Sequence, residues 1–187
     1  MFSYVAKEIR NMETILKIKN GFLDIIQVIN NKNKIKIVKH LAEIPLICAL
    51  DNLSNENKIA KALDENKKHP IGVSRGEIYN FKITENVGSE LSGNHLCVII
   101  QNKKGNIYAE KVNVLHIEGD GTRINPNYQI QLTNDDLSSG YLIKNPSRII
   151  LTDIMTYDKA RIGRKIGQIK PEKMLAINNA IKKQLQL

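Results

Sequence analysis

Within seven positions, 89 to 95, this chain holds a hydroxyl, a carboxylate and an imidazole. They are Ser89, Glu90 and His95, within Val87-Gly88-Ser89-Glu90-Leu91-Ser92-Gly93-Asn94-His95. These are proton-transfer groups. An imidazole titrates near neutrality and serves as acid or base, and a carboxylate serves as base or orients the imidazole. Each residue also has a plain structural reading. Glu90 braces the loop through backbone N–H groups, Ser89 is a turn hydroxyl, His95 opens a strand, and Gly88 and Gly93 supply backbone geometry. The loop leaves a strand pattern, Arg75-Gly76-Glu77-Ile78-Tyr79, and enters another, Cys97-Val98-Ile99-Ile100-Gln101-Asn102. A rigid sheet that holds a polar loop leaves its side chains free for function.

The 187 residues suffice for one domain with an appendage or for two small domains. A hydrophobic content of 42% fits a globular chain and excludes wholesale disorder. The net charge of +9 and pI of about 9.5 favour a polyanionic partner, nucleic acid first, or else a solvated lysine-rich surface. The two cysteines, Cys48 and Cys97, lie in apolar runs without ligand spacing. They read as buried free thiols of a reducing cytosol, with no metal site and no cofactor. Neither a signal-peptide pattern nor an apolar run of ~18 residues is found, so no membrane segment is expected.

Residues 1 to about 30 read as a helix, with Ile15, Ile18, Phe22, Ile25 and Ile29 on one face. Asn30–Asn33 reads as a loop. A second helix carries Ile35, Val38, Leu41 and Ala42 until Pro45 kinks or ends it, and Ser54 caps a short third helix. The polar stretch Asp64–Ser74, with an exposed His69, marks the boundary between a helical extension (1–70) and a second domain (71–187). Beyond it the period becomes alternating. Tyr79, Phe81 and Ile83 form one strand, Val112 and Val114 another, and Tyr128, Ile130 and Leu132 a third. His116 is read onto a sheet face. Cys97–Ile100 and Arg148–Leu151 are apolar enough to be buried on both faces. Turn signals lie at Lys104–Asn106, Gly119–Gly121, Asn134–Asp135 and Ser139–Gly140. The pattern is that of a strongly bent sheet or small barrel. A helix follows Pro171 with Met174, Ile177, Ile181 and Leu185 on one face. The basic run from Lys159 to Lys183 is a phosphate track or a soluble surface.

On these residues the portion from Ser74 to Leu187 resembles the MazF/PemK (Kid) toxins of type II toxin–antitoxin systems. The matching pieces are Arg75-Gly76-Glu77-Ile78-Tyr79, Gly88-Ser89-Glu90, Ile99-Ile100-Gln101-Asn102, and Thr156-Tyr157-Asp158-Lys159-Ala160-Arg161-Ile162, in that order. The resemblance implies an α+β fold: a small SH3-like β-barrel, MazF/CcdB-like, with a C-terminal helix after the α-helical extension. It implies a cytoplasmic homodimer that cleaves single-stranded RNA without a metal and is blocked by a cognate antitoxin, with which such toxins bind DNA. A catalytic set of His95, Glu90 and Glu118 follows, with RNA held by Arg75, Ser89, Thr156, Arg161 and Arg164. The chain departs from the family at several places. His95 stands where arginine is common, Glu118 near a usual threonine, and Met155 at an arginine; Ser89, Ile150 and Thr152 replace the Kid-type histidine, arginine and aspartate. Arg75, Arg148, Arg161 and Arg164 are then the candidates for a guanidinium beside the phosphorane. The alternative is a member of the same fold that binds RNA without cutting it, or inhibits a protein as the CcdB toxins do.

Overall fold

The computed structural model describes residues 12–24 and 31–187. Residues 1–11, Ile25 and Ile29 of the expected first helix lie outside the described residues. The chain divides into two units, Met1–Ile44 and Pro45–Leu187. In the first, residues 12–24 are helical (α1). A second helix, α2 (Asn31–Leu63), begins there and runs through the division at Pro45. Ile15, Ile18, Ile35 and Val38 are exposed.

Three expectations about α2 are corrected. Asn31–Asn33 belong to the helix and not to a loop, Pro45 does not end it, and Ser54 sits in its interior. A proline deletes one ladder hydrogen bond, a loss that a long helix can absorb. Ser54 Oγ caps nothing; it donates to Asp158 Oδ2 at 2.8 Å. Leu50, Ser54, Asn57 and Lys61 recur at helical spacing and share one face. The first three are buried, and Lys61 Nζ lies 3.5 Å from Glu110 Oε1. Cys48, expected to be buried, is exposed, because it lies off this docking face; Cys97 is buried.

The second unit is built on seven antiparallel strands: β1 (Glu77–Ile83), β2 (Gly93–Ile99), β3 (Lys111–Glu118), β4 (Gln129–Leu132), β5 (Leu137–Gly140), β6 (Ser147–Asp158) and β7 (Ile162–Ile169). Their order across the sheet is β4-β6-β3-β2-β1-β7-β5. The sheet curls into a small SH3-like half-barrel. One face buries Ile78, Val98, Leu115 and Ile149, the other Phe81, Cys97, Ile99 and Val114. The first core is closed by Met174 and Ile177 of the C-terminal helix α4 (Pro171–Leu185), which starts with proline at N1.

Two expected turns are something else. Lys104–Asn106 lies in a short helix, α3 (Lys103–Tyr108), because the Asn102 side chain accepts from Gly105 N at 2.8 Å and nucleates it. Ser139–Gly140 ends β5, and the chain turns only after it. Gly140 has φ +85°, and a Cβ there would meet Ile166 O at 2.0 Å, so the bend after β5 requires glycine.

His69, expected to be exposed, is buried; its Nδ1 accepts from Ile71 N at 3.0 Å. Burial, and then the nearby Lys159 charge, lower its pKa. Lys159 is not part of a surface track. It is fully buried, and its Nζ donates to Asn106 O at 2.6 Å. Burial pulls its pKa down to about 8. No helix among the described residues is long and apolar enough to cross a membrane.

Candidate functional site

The Val87–Ser92 loop is held by its own polar groups. Asn86 N donates to Ser92 Oγ at 2.8 Å, Asn86 Nδ2 to Leu91 O at 2.7 Å, and Val87 N to Glu90 Oε2 at 3.1 Å. Glu90 therefore braces the loop, and Ser89 stands exposed at its tip. Gly88, at φ +61°, gives the turn its left-handed step.

The loop delivers the chain into β2 at Gly93, two residues before His95. The His95 imidazole Nε2 lies 2.9 Å from Ser92 O. A carbonyl only accepts, so Nε2 carries the hydrogen and Nδ1 keeps the lone pair of the neutral ring. The β2–β3 ladder pairs Cys97 with His116 and Leu96 with Ile117. Continued one step, this register sets His95 across from Glu118, the last residue of β3.

Glu118 is paired in turn with Arg148 of β6. Both Arg148 Nε, at 2.7 Å, and Nη2, at 2.6 Å, donate to Glu118 Oε2. This guanidinium is charge-paired and oriented, and its side chain is 25% exposed. His95 and Glu118 line one cleft of about 990 Å³ together with Asn80, Tyr141, Lys144 and Arg164. Lys144 and Arg164 place two cations along the same wall. Sequence reasoning missed Lys144 and Tyr141, since both sit in the 141–146 turn that was expected to fall earlier.

The remaining candidates lie elsewhere. Arg75 Nη2 donates to Asn178 Oδ1 of α4. Thr156 Oγ1 donates to Asn113 Oδ1 at 2.7 Å, and Arg161 Nη1 to Lys82 O at 2.8 Å. None of these three lines the cleft. Glu77, in the opening motif, accepts from Ser74 N at 2.6 Å and Tyr79 Oη at 2.9 Å and pairs with Lys165. That motif is therefore a structural clasp between β1 and β7.

A family described as PemK-like, MazF-like toxin of type II toxin–antitoxin system matches residues 74–185, and the chain belongs to it. Endoribonuclease MazF of Staphylococcus saprophyticus is 37% identical over 107 residues, covering 57% of this chain and 86% of that one. MazF (Form-I) of Deinococcus radiodurans shares the fold, with TM-score 0.51 at 9% identity over 63% of this chain and 99% of that one. An endoribonuclease in complex with its cognate antitoxin from a mycobacterial species overlaps at TM-score 0.46 and 20% identity, over 62% of this chain and 95% of that one.

Proposed function

We propose that this toxin-family chain is a metal-independent endoribonuclease that cuts single-stranded RNA by attack of a ribose 2′-hydroxyl on the adjacent phosphorus. The carrying observation is that His95 and Glu118 line one cleft with Lys144 and Arg164, and that Glu118 holds the Arg148 guanidinium. His95 accepts the 2′-hydroxyl proton on its Nδ1 lone pair as the 2′-O–P bond forms, and the 5′-oxygen leaves as the P–O5′ bond breaks, taking its proton from solvent. Arg148 stabilises the phosphorane, and Glu118 sets the plane of its guanidinium. Glu90 acts through the loop, holding the segment that Ser92 O uses to fix the His95 ring. Lys144 and Arg164 hold flanking phosphates. The barrel domain, 71–187, carries this chemistry as a cytoplasmic homodimer, and a cognate antitoxin silences it by lying in the same cleft. His95→Ala should leave the fold intact and lower cleavage by roughly 10²-fold or more, the usual scale of general acid–base loss. Unchanged cleavage removes His95 from the mechanism.

One observation favours a second reading, a non-cutting RNA or protein binder. Two of the Arg148 nitrogens, Nε and Nη2, are already engaged by Glu118. That reading predicts RNA retained in a gel shift with no product in a single-turnover reaction at enzyme excess.

A further inference from the structure

Behind His95, on the same face of the sheet, lies a second imidazole that the proposed chemistry does not use. His116 is 2% exposed, and its Nδ1 is buried without a hydrogen-bond partner. Its Nε2 lies 3.0 Å from Tyr157 Oη. Its Nδ1 lies 3.8 Å from Asp153 Oδ2, too long for a hydrogen bond but on the side of a carboxylate. Burial, then Cys97 and nearby charges, push the Tyr157 phenol up to about 12, so its hydroxyl keeps its proton. A lone pair turned toward a carboxylate would be repelled. The neutral ring therefore accepts from Tyr157 at Nε2 and carries its hydrogen at Nδ1, facing Asp153.

The His116 ring meets that of His95 edge to face, with centroids 6.4 Å apart. Two imidazolium ions at that distance repel, and a charge on His95 lowers the His116 pKa. The groups that face His116 are Asp153 and Tyr157 of β6, His95 and Cys97 of β2, and Glu118 of its own strand. Burial lowers the His116 pKa, opposed by the Asp153 charge and joined by the His95 charge.

We propose that His116 is a positioning residue for RNA cleavage: wedged between Tyr157 and Asp153, it props the His95 ring edge to face. This rests on His95 being the proton-transfer group. His116 stands between Asp153 and Tyr157, and of the two imidazoles it is His95 that lines the cleft. Part of it is visible in the register, since Cys97 pairs with His116 and so puts residue 95 diagonally across from it.

The test has an arm that needs no activity. Imidazole NMR of the full chain should show His116 as the neutral Nδ1–H tautomer, with its midpoint below that of an ordinary imidazole. In His95→Gln the His116 midpoint should rise by about one to two pH units, the repulsion expected for charges ~6 Å apart at an effective dielectric of ~20. Tyr157→Phe keeps the packing and removes the hydroxyl; it should admit the Nε2–H tautomer of His116. In cleavage assays His116→Gln and Tyr157→Phe should lower kcat by about tenfold with KM unchanged and displace the acid limb of the pH–kcat profile. An unmoved His116 midpoint in His95→Gln overturns the proposal whether or not the protein cleaves RNA. So does a folded His116→Gln variant with wild-type kcat and pH profile. If wild type leaves RNA intact while the NMR coupling is present, the ribonuclease reading falls and the coupled pair stands.

Discussion

Replacing Arg148 by alanine separates what this residue does for folding from what it does for chemistry. Its two nitrogens share one Glu118 oxygen, at 2.6 and 2.7 Å, and the two side chains are 25% and 32% exposed. A pair so open to water contributes about 1 kcal/mol to stability. Its loss leaves Glu118 facing solvent at the cleft rim and not stranded in a core, so no buried-charge penalty is added. A donor aimed at a developing phosphorane is worth more: removing one such group costs about 10²–10³ in kcat, or about 2.7–4 kcal/mol. The activation loss should therefore exceed the stability loss by about 2–3 kcal/mol. The assay is single-turnover cleavage of an unstructured RNA at saturating enzyme, beside a urea unfolding curve of the same preparation. Arg148→Lys keeps the charge but not the planar fork and should recover less than a tenth of the rate. A fall of threefold or less in Arg148→Ala, with the unfolding midpoint unchanged, would refute the guanidinium's role.

Lys159 and Gly140 give two predictions about the scaffold. The folded pKa of Lys159 is about 8, below an unfolded value of about 10.4, so the unfolded chain binds more protons between these limits. The cost of burying the ammonium is fully present below pH 8 and is relieved as pH rises, so unfolding free energy should climb from pH 8 to about 10.4; Lys159→Met should abolish the climb. Gly140→Ala must place a Cβ 2.0 Å from Ile166 O at φ +85° and should cost several kcal/mol or prevent folding, whereas Gly88→Ala, at φ +61° with open space around it, should cost only about 1–2 kcal/mol in the same urea titration.

The sheet was legible because its signals are local. Tyr79, Phe81 and Ile83 alternate, and the Cys97–Ile100 run is apolar throughout, so β1 and β2 and the loop between them follow from period alone. The helical extension was misread where one local rule met a longer context. Pro45 and Ser54 look like a break and a cap, but α2 runs through both, and Ser54 shares a face with the buried Leu50 and Asn57. His95 could be singled out from its loop. Its neighbours could not, because they depend on register. Glu118 meets Arg148 across 30 positions, and His116 meets Tyr157 across 41. Lys159 looked like one more surface cation in a basic run, and only its Asn106 carbonyl partner, 53 positions away, marks it as interior.

The measurement that bears most directly on the proposed activity is incubation of the purified chain with a long unstructured RNA in EDTA, followed by end-group mapping. Discrete cuts that leave 2′,3′-cyclic phosphate and 5′-hydroxyl ends, and that vanish in His95→Ala, are the predicted result. RNA that stays intact with the folded protein at single-turnover excess, or cuts that leave 5′-phosphate ends, would contradict it.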